Sequence, residues 1–114
     1  MLNIEFIIIE TNPQYMMKLW RNINYFKDLL LSNGFNIGSP TSAIIPVKIG
    51  DINKTLLVGK LLLEKGIHAN PIMYPAVAKK DARIRFNLTA NHELDHLDKA
   101  VMALIQINEI INIK

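Results

Sequence analysis

Residues 74–98 read YPAVAKKDARIRFNLTANHELDHLD, and the alternation in their middle decides the fold class. Ile84, Phe86 and Leu88 fall on one face of an extended chain, with Arg83, Arg85 and Asn87 on the other, because successive strand side chains point to opposite sides. The alternation predicts a half-buried strand over 82–88. After it, Leu97, Val101, Leu104 and Ile105 recur at three- and four-residue spacing, which predicts an amphipathic helix over about 93–111.

Upstream, PIMYPAVAKKD carries two prolines and two lysines and reads as a loop, preceded by a short extended piece, Ile67 to Ile72, that Pro71 interrupts. A helix over about 52–65 is predicted from Leu56, Leu57, Leu61 and Glu64, capped by Asp51 and stopped at Lys65-Gly66. In Ala43 to Ile49, apolar Ile45, Val47 and Ile49 alternate with Pro46 and Lys48. Proline has no N–H, so this strand belongs at an edge, or where that nitrogen needs no partner. Met16, Leu19, Trp20, Ile23, Phe26 and Leu30 mark the first helix, opened by Asn12-Pro13 and closed by Asn33-Gly34. An apolar opening, Ile4 and Phe6 to Ile9, precedes it. No internal repeat is visible. The order helix, strand, helix, strand, strand, helix implies an α+β domain: a small, partly antiparallel sheet with helices packed on one face.

Composition bounds the function. The chain has 114 residues, 50% hydrophobic and 20% charged, which suits one folded domain rather than a disordered tail. Its net charge of +3 comes without a run of five like charges. The densest basic group, Lys79, Lys80, Arg83 and Arg85, has no interleaved aromatic on which a base could stack, so no nucleic-acid partner is expected. Cysteine is absent, which excludes thiolate catalysis and cysteine metal clusters. Glu5 and Glu10 stand where a secretory leader needs a basic start, and no apolar run approaches a membrane span. A cytoplasmic protein without a membrane span is the expectation.

Two groups of residues could carry chemistry. Arg83 and Arg85 share one strand face, where they are either a solvated outer surface or a rigid grip for a carboxylate or phosphate. His92-Glu93-Leu94-Asp95-His96 fits the His-Glu-x-x-His zinc pattern, so an independent zinc-binding or metallopeptidase-like module is the alternative. Against it, His92 falls at or before the helix start, no later His completes a three-ligand site, and Glu109 lies on the same helix. No metal site is therefore expected. The Met16–Trp20 side of the first helix reads as core rather than as a docking face, and no serine sits in a nucleophile turn.

Residues 74–98 resemble the C-terminal signature of the α-oxoamine synthases. The matching elements are Pro75, the run Ala82-Arg83-Ile84-Arg85, the strand to Leu88, Thr89-Ala90-Asn91-His92, and Asp98. SAIIPVKIGD, residues 42–51, resembles the family's first small-domain strand, and LWRNINYFKDLLLSNGFNIG, residues 19–38, the helix and turn before it. The resemblance runs from about 13 to 107. It departs from the family at Ala78 and Lys80, which replace a loop Pro and Gly, at Glu93, which replaces a Thr or Ser cap, and in Leu2 to Thr11, which is more strand-like than a connecting helix.

The resemblance implies the C-terminal small domain of a fold-type I pyridoxal-phosphate transferase, with 1–12 a connector from a large domain and 13–114 the small domain. The family condenses an amino acid with an acyl-coenzyme A and releases carbon dioxide, as a homodimer. Its Schiff-base lysine, pyridine-nitrogen acid and ring-stacking histidine belong to the large domain. No catalytic or cofactor-binding residue is therefore expected in this chain, which alone should bind no pyridoxal phosphate and be inactive. Arg85 occupies the family's substrate-carboxylate position, with Arg83 the second candidate, and Tyr74 and Pro75, beside Met73, would border the same pocket. Tyr74-Pro75 and the Ala-Arg-Ile-Arg run resemble most the 2-amino-3-ketobutyrate coenzyme A ligase branch, with serine palmitoyltransferase and 8-amino-7-oxononanoate synthase near equals. A sheet face left uncovered by a missing large domain should make the isolated chain marginally stable or self-associating.

Overall fold

A computed structural model describes residues 13–114. Its elements are α1 (Pro13–Ser32), β1 (Ile44–Gly50), α2 (Ile52–Glu64), β2 (Asn70–Ile72), β3 (Ala82–Asn87) and α3 (Leu94–Ile111). The expected opening Ile4 to Ile9, the Asn12 cap, the strand-like Leu2 to Thr11 and the 1–12 connector lie outside the described residues.

The strand with the clearest alternation became the centre of the sheet. Strand order is β1-β3-β2, and both pairings are antiparallel, with Pro46 opposite Arg85 on one side and Asn70 opposite Arg85 on the other. Both described pairings of the expected small sheet are thus antiparallel. Ile84 and Phe86 of β3 and Ile45 and Val47 of β1 are buried beneath the helices. Phe86 meets Phe26 of α1 edge to face, with centroids 5.3 Å apart, a favoured aromatic geometry.

Backbone direction explains the prolines. The Lys48 N–H leaves β1 on its outer side, to the Asn36 carbonyl at 2.8 Å. Residues two apart point their N–H groups the same way, so the nitrogen of Pro46 also faces the free edge, as expected. The Leu88 N–H goes to the Ala43 carbonyl on the β1 side. By the same parity Ile84 bonds toward β1, and Pro71, which opposes Ile84 from β2, turns its nitrogen to the other free edge. No ladder bond is lost at either proline.

Local signals end the helices where the sequence places their ends. Asp51 accepts the Lys54 N–H at 2.8 Å at the start of α2. After α1, Gly34 has φ +81°, a left-handed conformation that glycine adopts without a Cβ clash. The Phe35 N–H then returns to the Leu30 carbonyl at 3.0 Å.

Several buried positions differ from expectation. On α1 the stripe is Leu19, Ile23, Phe26 and Leu30, while Trp20 is 42% exposed and Asn22 is fully buried. Trp20 follows Leu19 by one residue and so lies about 100° around the helix from the stripe. On α2 the buried side is Thr55, Val58 and Leu62, and Leu56 and Leu57 are exposed. Thr55 tolerates burial because its hydroxyl donates to the Asp51 carbonyl at 2.6 Å. On α3, Ala100, Ala103 and Ile107 join the buried face, and Ile105 is only partly covered.

Candidate substrate-binding face

Arg83 and Arg85 lie on the sheet face turned away from the helices, as the alternation requires, and both are half-buried. Their surroundings differ. Arg83 is flanked by Lys48 and Ile72, and its Nε donates to the Asp81 carbonyl at 2.9 Å. The Asp81 carboxylate lies 3.0 Å from the Lys48 ammonium, so Asp81 fastens both β1 and Arg83. Asp81 was not singled out from sequence, and its only signal was an acid just ahead of the Ala-Arg run. Beside Arg83, the turn Asn36 to Pro40 with Pro46 and Lys48 encloses a cavity of about 390 Å³.

Arg85 has no such tether. Its Nε is buried and has no hydrogen-bond partner among the described residues. Its cross-strand neighbour on one side is Pro46, whose ring offers no acceptor. A buried donor left unpaired is costly, which sets Arg85 apart from the tethered Arg83. A guanidinium fork can in general match the two oxygens of a carboxylate at once.

Tyr74 and Pro75 belong to the loop joining β2 to β3, and their shared peptide bond is cis. The register sets Ile72 opposite Arg83 and Asn70 opposite Arg85. The loop therefore leaves and rejoins the sheet at the Arg83 end, with Arg85 two residues further along β3. Tyr74 is exposed, with the Lys79 ammonium 5.2 Å from its ring centroid. The loop is fastened by the Ala76 N–H to the Met73 carbonyl and the Asp81 N–H to the Ala78 carbonyl. At its far end the Lys80 carbonyl approaches Gly50 so closely that a Cβ there would stand 3.3 Å from it. The structure thus groups Arg83 with Asp81 and Lys48 and gives Arg85 a separate environment.

The zinc pattern resolves into a capping device. His92 precedes α3 in a turn, and its Nδ1 accepts the Thr89 N–H at 3.1 Å; the Nδ1 of His96 accepts the Glu93 N–H at 3.1 Å. The rings stand 6.3 Å apart, nearly perpendicular. Among the described residues no three His, Cys, Asp or Glu are placed to hold a metal. The His92 pKa is lowered, first by burial and then by the neighbouring His96. Asn22, fully buried on α1, donates from Nδ2 to the Thr89 and His92 carbonyls, each at 2.9 Å. The Tyr25 hydroxyl donates to the Asp98 carboxylate, which raises the tyrosine pKa. The signature residues Thr89, His92 and Asp98 therefore join α3 and the turn before it to α1.

An imine-forming cofactor needs a lysine removed from water and lowered in pKa. Lys48, Lys54, Lys60, Lys65, Lys79, Lys80, Lys99 and Lys114 are exposed, and the half-buried Lys18 and Lys27 are engaged with the Glu93 carboxylate at 3.5 Å and the Pro40 carbonyl at 3.1 Å. The described residues do not by themselves fit such a cofactor.

The family model for aminotransferase class I and II matches residues 1–104. The chain belongs to this family. Among curated relatives of this aminotransferase-family chain, serine palmitoyltransferase from Sphingobacterium spiritivorum is 39% identical over 100 residues, covering 88% of the chain and 25% of the relative. The 8-amino-7-oxononanoate synthase from Alkaliphilus oremlandii is 38% identical over 106 residues, covering 93% and 27%. The chain spans about a quarter of the length of the curated relatives it matches. Its fold is shared with a structure of serine palmitoyltransferase with pyridoxal phosphate, at TM-score 0.86 and 21% identity over 94% of this chain and 28% of that one. An 8-amino-7-oxononanoate synthase from Francisella tularensis aligns at TM-score 0.74 and 22% identity, over 95% and 30%. These relatives are α-oxoamine synthases, the group that residues 74–98 resemble, and the fold is the small α+β domain of fold-type I transferases.

Proposed function

We propose that this chain serves as the C-terminal small domain of an α-oxoamine synthase that condenses an amino acid with an acyl-coenzyme A thioester and releases carbon dioxide, and that Arg85 binds the amino-acid carboxylate. The observation that carries this reading is the buried Nε of Arg85 on the open sheet face, which has no hydrogen-bond partner among the described residues. Residues 1–12 then connect to a large domain that holds pyridoxal phosphate, in a cytoplasmic homodimer. The cofactor supplies the electron sink for the bond broken at the substrate. Arg85 supplies orientation: a two-point grip fixes the plane of the carboxylate, and a central strand with neighbours on both sides limits how far that grip can drift. Arg83, already bonded to the Asp81 carbonyl, supports the same face. Tyr74 and Pro75 border the entrance. The chain alone is then inactive and binds no pyridoxal phosphate at a specific site.

The test uses the complete enzyme. Arg85→Ala is expected to raise the amino-acid KM and lower kcat/KM by about 30-fold, roughly 2 kcal/mol, with little change in the acyl-coenzyme A KM. Arg85→Lys should recover only part of the loss, because an ammonium lacks the fork, and Arg83→Ala should cost less than Arg85→Ala. Unchanged kinetics in Arg85→Ala would remove it from the site. The branch is assigned by the same enzyme with a panel of amino acids and acyl thioesters of increasing length. Tyr74-Pro75 and the Ala-Arg-Ile-Arg run favour the 2-amino-3-ketobutyrate ligase branch, and the named relatives favour the other two.

A further inference from the structure

All three histidines of the chain border one cleft. It lies on the helix-covered side of the sheet, away from Arg83 and Arg85, and has a volume of about 400 Å³. His68 reaches it from the connection between α2 and β2, and His92 and His96 from the start of α3. Lys99 adds an ammonium group, Lys65 borders the cleft with its ammonium held by Gln106 Oε1, Phe86 and Leu97 are among the apolar lining, and no carboxylate of the described residues contributes to the wall. Lys99 follows His96 by three residues on α3, so the two share one helix face.

The hydrogen bonds of the imidazoles narrow the ligand further. Both His92 and His96 accept a backbone N–H at Nδ1. A neutral ring that accepts at Nδ1 carries its proton on Nε2, so each ring keeps one donor for a partner outside the backbone. Ammonium groups only donate. The polar side chains that His92, His96 and Lys99 bring to the cleft are therefore donors, beside apolar surface, and no Asp or Glu among the described residues lines it.

We propose that this cleft binds a small amphipathic anion, its oxyanion head against His92, His96 and Lys99 and its apolar body along Phe86 and Leu97. A carboxylate and a phosphate monoester share this chemistry, and the test separates them. The 114-residue chain is titrated with octanoate, octyl phosphate and, as the neutral control, octanol, while the imidazole resonances are followed by NMR. Saturable shifts of His92 and His96 with either anion support the proposal, and the tighter of the two names the head group. Lys99→Glu, an exposed position outside the core, should weaken that binding about tenfold or more. His96→Gln, which removes the Nε2 donor, should weaken it as well. Equal shifts with octanol, affinity indifferent to Lys99→Glu, or stoichiometric zinc held by these imidazoles would each overturn it.

Discussion

Asn22 is fully buried on α1, and both ends of its amide are used: Nδ2 donates to the Thr89 and His92 carbonyls, and Oδ1 accepts from Arg21. Asn22→Ala would leave the part-buried Thr89 and His92 carbonyls without this donor, and a loss of about 1–3 kcal/mol in denaturant unfolding is expected. A loss no larger than that of an exposed helix position would refute this. The importance of Asn22 was illegible in the sequence, since a polar residue on a helix reads as surface and its partners lie 67 and 70 residues away. His92 adds a dependence on pH. Its Nδ1 accepts from Thr89, and protonation there removes the acceptor. Its folded pKa lies below the ordinary 6.5 because of burial and then His96. The unfolded chain therefore takes up the proton first as pH falls, so this contribution to stability is present above about 6.5 and lost as pH drops through the folded value. Denaturation midpoints should fall from pH 7.5 to pH 5, and fall less in His92→Asn, which keeps an acceptor but does not titrate. Equal slopes in the two proteins would exclude His92 as the titrating group.

At the scale of elements, Gly59 sits inside α2, where glycine costs helix stability. A Cβ built there would meet Pro71 and Ile84 at 3.6 and 3.7 Å, ordinary contact distances. Gly59→Ala is accordingly expected to stabilise the chain by about 0.5–1 kcal/mol, visible as a higher Tm; a lower Tm would mean that α2 and β2 cannot accommodate the methyl. Elements with local signals were legible: the alternation of β3, the Asp51 cap, the Gly34 stop and the edge placement of β1 all follow from neighbouring residues. The buried side of α2 was not, because a capped threonine takes a core position while Leu56 and Leu57 face outward. The arginine pair was legible for the same reason as β3. The difference between its members was not, because it depends on how the loop brings the Asp81 carbonyl to Arg83 and how register sets Pro46 beside Arg85.

At the scale of the whole molecule, the helices cover one face of a three-stranded sheet and leave the other to Arg83, Arg85, Pro46 and the surrounding turns. Among the described residues the sheet has two outer borders, one on β1, where the Lys48 N–H already bonds to the Asn36 carbonyl, and one on β2, and free donors on a border can template a further strand. A proline stands on each, with its nitrogen turned outward, so an incoming strand finds a missing donor at Pro46 and another at Pro71. Replacing both with valine would add one outward-facing donor to each border. Faster fibril growth in Pro46→Val/Pro71→Val, followed by thioflavin fluorescence, is the expected outcome, and growth no faster than that of the parent would count against it. A native neighbour meets the same obstacle as a fibril. Any partner is disfavoured at these two borders and finds instead the broad arginine face, where contact is made side chain to side chain.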